Sequence, residues 1–310
     1  MAQRSPARSV VVLGPTASGK SDVAMALARQ RGDVEIIAVD AMQVYRGMDI
    51  GTAKPTPADQ REVPHHGIDL VAAAATFTVS DFQRAAVAAR AEIDAAGHVA
   101  VLVAGTGLYL TAVIDNLQLP GEWPALRAEL EAEARTSGGL AAMHARLAAV
   151  DPVAAARLEP GNERRIVRAL EVCQGSGRPF SSFGPGTDAY PPITTPQIGL
   201  RWNRDALTRR VAARVHAMIE RGLLKEVAVL LAAPGGLSRT ARQALGYKEL
   251  IDVVEHGAPL ADAVEQIIVR TRQFAVRQER WFRRDPRIRW VDVITDPVAE
   301  ALPVVQEYLA

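Results

Sequence analysis

The sequence predicts an α/β fold: a parallel sheet flanked by helices, with a helical subdomain inserted into it. Three observations predict it. Apolar runs of strand length, at 10–13, 34–40, 99–103 and 198–202, alternate with stretches of helical spacing, as a sheet with crossover helices requires. The first run opens directly into a glycine-bounded loop and then a helix. From Pro120 the strand-like runs stop: residues 121–160 are rich in Ala, Glu, Leu and Arg, Gly175 to Pro196 in Gly, Pro, Ser and Thr, and the sheet resumes at Ile198.

The first element is Val10 to Leu13, a buried strand. Gly14-Pro15-Thr16-Ala17-Ser18-Gly19-Lys20-Ser21 follows, and Val23 and Leu27 then begin an amphipathic helix. Strand, G-x-x-x-x-G-K-S loop and helix form a P-loop in its required context, so the sheet is of the P-loop NTPase-like kind. Glycines let backbone N–H groups turn onto phosphate oxygens, and the helix N-terminus adds partial positive charge. Lys20 suits a terminal phosphate and Ser21 offers a hydroxyl to Mg²⁺, the one cofactor expected.

The second strand, 34–40, ends in Asp40, and a long polar loop runs from Ala41 to Pro55. Ligands bind at the carboxyl ends of strands in open α/β sheets, and a loop of this length is usually functional. His65 and His66 begin a short strand; neighbours on a strand face opposite ways, which favours structural hydrogen bonds over shared metal ligation. A helix is expected over 80–95 with Ser80 as its cap. The strand 99–103 ends in Ala-Gly-Thr, where Thr106 is either a helix cap or a phosphate ligand.

The insertion is expected to span 120–189, leaving 1–119 and 190–310 as the core. Within it Asn162 caps a helix carrying Arg164, Arg165 and Arg168. Residues 205–231 read as one long helix on which Arg210 and Arg214 share a face, in isolation no more than two surface arginines. Eight arginines between Arg270 and Arg289 interleave with Phe274, Trp281, Phe282 and Trp290. Read as a helix, that pattern suits RNA backbone and stacked bases, and equally a solvated basic face.

The totals restrict the class further. Net charge is +1, so overall charge names no partner, and a single cysteine, Cys173, excludes intrachain disulfides and Cys-based zinc clusters. Cys173 lies in an apolar helical run and is expected in the core. No run approaches bilayer length, and Met1 to Ser9 lacks the apolar stretch of a secretory signal, so a cytoplasmic protein is expected. Most P-loop enzymes act on a nucleotide's terminal phosphate and orient Mg²⁺ with an Asp at a strand end. Here the strand 99–103 has none, and Asp40 precedes the rich loop instead. That leaves room for pyrophosphate as leaving group with Asp40 as base, beside two other readings: an ATP-dependent small-molecule or nucleoside kinase, and a nucleotide-switched RNA-binding module.

Seven blocks carry a resemblance. They are residues 14–21; Val-Asp-Ala-Met-Gln-Val-Tyr-Arg-Gly-Met-Asp-Ile-Gly-Thr-Ala-Lys-Pro (39–55); His-His-Gly-Ile-Asp (65–69); Gly-Thr-Gly-Leu-Tyr (105–109); Arg-Arg-Ile-Val-Arg-Ala-Leu-Glu (164–171); Ala-Leu-Gly-Tyr-Lys-Glu-Leu (244–250); and Thr-Arg-Gln-Phe-Ala-Val-Arg-Gln (271–278). Together, over about 10–292, they resemble the tRNA dimethylallyltransferase family. The resemblance implies transfer of the dimethylallyl group of dimethylallyl pyrophosphate to the exocyclic N6 of the adenosine 3′ to the anticodon. It implies a pyrophosphate held by Gly14, Pro15, Thr16, Ala17, Ser18, Gly19, Lys20 and Ser21, with Mg²⁺ near Ser21. Asp40, Thr106 and Arg214 become catalytic: base, pyrophosphate ligand and leaving-group stabiliser. Asp40, Ala41, Met42, Gln43, Arg164, Arg165, Arg168, Arg272, Gln273, Arg277 and Arg280 become contacts to the tRNA anticodon arm. No membrane and no obligate protein partner are implied. Ala104 replaces a usual glycine, Ser21 a frequent threonine, and Arg164 a frequent glutamine, the last affecting a tRNA contact. Eukaryotic members carry a C-terminal zinc-finger extension that is not found here, which suggests a bacterial type.

Overall fold

The computed structural model describes residues 9–309. The charged stretch Met1 to Arg8, expected not to be a secretory signal, lies outside the described residues. In chain order the elements are β1 (Ser9–Leu13), α1 (Lys20–Arg31), β2 (Val34–Val39), β3 (Tyr45–Arg46), α2 (Pro57–Glu62), β4 (His65–His66), β5 (Val71–Ala72), α3 (Val79–Ala95), β6 (Val99–Ala104) and α4 (Gly107–Ile114). Four helices follow: α5 (Pro124–Ala134), α6 (Gly139–Val150), α7 (Pro152–Arg157) and α8 (Glu163–Ser176). The remainder is β7 (Gln197–Trp202), α9 (Arg204–Glu220), α10 (Leu223–Ala232), α11 (Tyr247–His256), α12 (Leu260–Phe282), β8 (Ile288–Val293) and α13 (Pro297–Gln306).

The main sheet has the order β4-β2-β6-β1-β7-β8, and every pairing in it is parallel. Its central strands β1, β2 and β6 read as near-continuous apolar runs because both faces are covered. Val11, Leu13, Ile37, Val39 and Leu102 enter one core with α3, α4 and α9 to α12. Val10, Val12, Ile36, Val101, Ile198 and Leu200 enter the other with α1 and α13. This is the P-loop NTPase-like α/β fold. β3 and β5 form a separate two-stranded parallel pair.

Residues 116–189 form a compact unit of their own, and 9–115 with 190–309 form the other. The helical unit has its own core around Leu130, Met143, Leu147, Ile166 and Leu170. Its Glu171 is fully buried and accepts from Trp123 N and the Arg127 guanidinium, with Arg168 ion-paired to it at 2.9 Å. Asn162 Oδ1 accepts Arg165 N and caps α8, as its sequence predicts.

Three local expectations are corrected. α3 is capped by Thr78, not Ser80: Thr78 Oγ1 accepts Asp81 N while Asp81 accepts Thr78 N, a reciprocal cap that a single candidate residue does not reveal. The run 205–231 is two helices, because Gly222 takes a left-handed φ of 98° between α9 and α10. The basic region beyond Phe282 leaves the helix and becomes β8, whose alternation Ile288-Arg-Trp-Val-Asp-Val is masked by its charges. Among the described residues no helix is long and apolar enough to cross a membrane.

Candidate active site

The loop between β1 and α1 lies at the carboxyl end of the sheet. Gly14 has φ of 150°, and a Cβ there would come 2.8 Å from the Leu200 carbonyl, so only glycine fits. Ala17 sits in the left-handed region at φ 62° and Gly19 at 91°. Thr16 N donates to Gln278 Oε1 at 2.8 Å, and Ser18 N closes a turn onto Pro15 O. The amides of Ala17, Gly19, Lys20 and Ser21 have no protein acceptor among the described residues, as a cradle for an anion requires.

Cations surround this cradle. Lys20 Nζ donates to Pro15 O at 2.8 Å. Burial pushes its pKa down to about 7; Arg214 adds to the shift, against Asp40 and Asp22. Arg214, on α9, is half-buried and has no hydrogen bond or ion pair with protein among the described residues. Burial holds it below the usual arginine range, Asp40 and Asp22 oppose that, and the charge of Arg210 adds to it. A guanidinium does not give up its proton near neutral pH, so it stands as a charge lacking its counterion. Arg210, one turn earlier, donates Nε–H to Ala17 O at 2.8 Å and stacks over the Trp202 ring at 4.4 Å.

The strand ends beside the cradle supply the remaining groups. Asp40 Oδ1 accepts Met42 N at 2.8 Å and Gln43 N at 3.3 Å, which fixes the carboxylate at the head of the long loop. A Cβ on Gly105 would lie 3.6 Å from Asp40 Oδ2, so the second oxygen faces the β6–α4 turn. Thr106 heads α4 without capping it: its Oγ1 accepts Ala41 N at 3.1 Å, and its own proton has no protein acceptor among the described residues. Gln278 joins the two sides, donating Nε2–H to Gly105 O at 2.7 Å while it accepts Thr16 N. Lys20, Asp40, Thr106, Arg210, Arg214 and Gln278 line one cavity of about 1210 Å³, whose walls continue into apolar side chains including Val211, Val215, Met218, Leu223 and Ile267.

The loop after Asp40 is fixed from within. Lys54 is buried and ion-paired with Asp49 and Asp69, both at 2.6 Å, and donates to Tyr45 O. Glu226 accepts the amides of Asp49, Ile50 and Gly51 and the Tyr247 hydroxyl. Gly51 is required because a Cβ would strike the Tyr247 ring at 2.4 Å. His65 and His66 hydrogen-bond to Val63 O and Glu35, as their spacing suggests.

The residues expected to meet RNA fall into two groups. Arg272, Gln273, Arg277 and Arg280 are exposed along α12, Arg277 within 5.8 Å of the Phe274 ring centroid; both Phe274 and Arg277 also line the cavity. Arg164 and Arg165 are exposed on α8, whereas Arg168 is engaged with Glu171 and Pro120 O. Gln43 spends its amide on Thr52 O and Ala53 O, while Ala41 and Met42 are half-buried beside Asp40. The eight arginines are not one surface. Arg270 pairs with Glu249, Arg283 with Glu279, Arg289 with Glu307, and Arg287 with Asp285 and Asp115. Sequence reasoning missed Gln278 and Trp202 and undervalued Arg210. The signal available was spacing: Gln278 falls with Ala275 and Phe282 on the buried stripe of a basic helix.

The IPP transferase family model matches residues 43–285 and the isopentenyl transferase model residues 8–65. The chain is 50% identical over 283 residues to a tRNA dimethylallyltransferase of Pseudarthrobacter chlorophenolicus, covering 91% of this chain and 93% of that one. It is 45% identical to that of Streptomyces coelicolor, covering 94% and 92%. The crystal structure of the tRNA isopentenylpyrophosphate transferase from Bacillus halodurans superposes with TM-score 0.69 at 37% identity, over 97% of this chain and 96% of that one. A eukaryotic dimethylallyltransferase acting on tRNA superposes with TM-score 0.75 at 25% identity, over 92% and 74%.

Proposed function

The chain belongs to the IPP transferase family, and from that premise we propose how its residues carry out the reaction of a tRNA dimethylallyltransferase. The reaction moves a dimethylallyl group from dimethylallyl pyrophosphate to the N6 of the adenosine 3′ to the anticodon and releases pyrophosphate. The observation that carries the reading is the unpartnered Arg214 beside Lys20 and four open amides, with an Asp40 carboxylate across the same cavity.

The pyrophosphate lies in the cradle 14–21, where the amides of Ala17, Gly19, Lys20 and Ser21 donate to its oxygens. Lys20 and Arg214 neutralise it, and their mutual repulsion is relieved when the anion arrives. As the C–O bond breaks, charge grows on the leaving oxygen, and preorganised cations stabilise it more than they stabilise the ground state. The Thr106 hydroxyl donates its free proton to the same group. The adenine amine becomes acidic only as the new C–N bond forms, so the Asp40 carboxylate suffices to remove that proton; positioned base catalysis contributes about 10²–10⁴-fold. The apolar walls receive the five-carbon tail. The target base must leave its stack to reach this depth. Arg272, Gln273, Arg277 and Arg280 on α12 hold the anticodon arm, and the exposed Arg164 and Arg165 on α8 are available for further tRNA contacts.

Ser21 lines the cavity and its hydroxyl has no protein partner among the described residues, and Asp22 lines the same cavity. This sparse set fits Mg²⁺, which keeps several waters and binds mainly through phosphate oxygens. Ser21 would hold it, and its charge would further neutralise the pyrophosphate.

The test is direct. The protein is incubated with unmodified tRNA, labelled dimethylallyl pyrophosphate and Mg²⁺ in the absence of ATP. Label is expected on the tRNA. Unlabelled tRNA overturns the reading, and phosphate passed to a small acceptor in a parallel incubation with ATP points to a kinase instead.

A further inference from the structure

We propose that Trp202 and Arg210 are positioning residues that hold the cradle's left-handed turn at Ala17, keeping its open amides aimed at the donor. The inference rests on the pyrophosphate reading of residues 14–21. A non-glycine residue in the left-handed region is intrinsically disfavoured, so the surrounding structure must impose that conformation. Ala17 has φ of 62° and is buried.

Two contacts on consecutive carbonyls impose it. Arg210 Nε–H donates to Ala17 O at 2.8 Å, and Trp202 Nε1–H donates to Ser18 O at 2.9 Å. The two side chains brace each other, the guanidinium lying 4.4 Å from the indole centroid. Trp202 is the last residue of β7 and is 8% exposed, so it is a fixed anchor. Arg210 stands two turns into α9 and reaches the loop from the cavity wall. Together they hold the carbonyls of Ala17 and Ser18. The amides of Ala17, Gly19, Lys20 and Ser21 are left without protein acceptors among the described residues. Trp202 does not line the cavity, so it acts through the loop.

Trp202→Phe separates this from direct binding. It keeps a ring under Arg210 and leaves every cavity-lining side chain in place, removing only the N–H on Ser18 O. The probe is inorganic pyrophosphate with Mg²⁺, titrated calorimetrically, with thermal unfolding of each variant alongside. Trp202→Phe is expected to bind pyrophosphate about fivefold more weakly, the worth of one backbone-directed hydrogen bond. Ala17→Gly supplies the rescue, because glycine adopts positive φ freely. In the Trp202→Phe background it is expected to bring affinity back to within about twofold of Ala17→Gly alone, a recovery that a merely structural role for Trp202 does not produce. Should Trp202→Phe fail to fold, Arg210→Lys carries the same test, since it keeps the charge and loses the Nε donor. Unchanged affinity in Trp202→Phe, or a loss that Ala17→Gly does not narrow, overturns the proposal. Failure of the unaltered protein to bind pyrophosphate overturns the cradle reading itself, a separate outcome.

Discussion

Replacing Lys20 by Met should change the proton balance of donor binding. In the free protein Lys20 Nζ rests on Pro15 O, and burial, aided by Arg214, depresses its pKa to about 7. With that value about half of the molecules carry a neutral Lys20 at pH 7 and about nine-tenths at pH 8. A pyrophosphate in the cradle favours the ammonium form and returns the pKa toward its ordinary value. Binding therefore takes up about half a proton at Lys20 at pH 7 and close to one at pH 8, and affinity falls as pH rises through this window. The sign follows from the free protein holding fewer protons than the complex. Calorimetry of pyrophosphate binding in buffers of different ionisation enthalpy measures the uptake. The ligand's own ionisation is common to both proteins, so the difference between the unaltered chain and Lys20→Met isolates the lysine. Equal uptake in the two at pH 8 refutes the reasoning.

Further outcomes follow from the same geometry. Asp40→Asn keeps an oxygen for the amides of Met42 and Gln43, so single-turnover transfer should fall about 10²–10⁴-fold while tRNA affinity stays put; equal losses in both would make Asp40 structural. Arg277→Ala and Arg280→Ala should each lower the slope of log affinity for tRNA against log salt by about one, measured by filter binding. Arg287→Met should behave differently: its side chain is 15% exposed and paired at 2.7 Å with both Asp285 and Asp115. Chemical denaturation should register a loss of about 3–5 kcal/mol, with the salt slope for tRNA unmoved.

Much of the core was legible because its residues obey strong local rules. The loop 14–21 needs glycine where backbone crowds it, and β1, β2, β6 and the middle of β7 are mostly apolar because both faces are buried. What stayed hidden depends on contacts far apart in sequence. Gln278 reaches Thr16 across 262 positions and Trp202 reaches Ser18 across 184, and no local pattern marks either. The arginine count misled for a related reason. Residues 270, 283, 287 and 289 have acidic partners, three of which, Glu249, Asp115 and Glu307, lie far away in the sequence. β8 was obscured because its exposed positions are charged, so it resembled a continuation of α12.

The central claim is that the cradle grips a leaving pyrophosphate while Asp40 serves an adenine amine. Nucleoside mass spectrometry of a single tRNA, after reaction with dimethylallyl pyrophosphate and Mg²⁺ alone, tests it most directly. The account predicts one dimethylallyl group, on N6 of the adenosine 3′ to the anticodon, and one pyrophosphate released for each. An unmodified nucleoside at that position, with the donor intact and the protein folded, contradicts it.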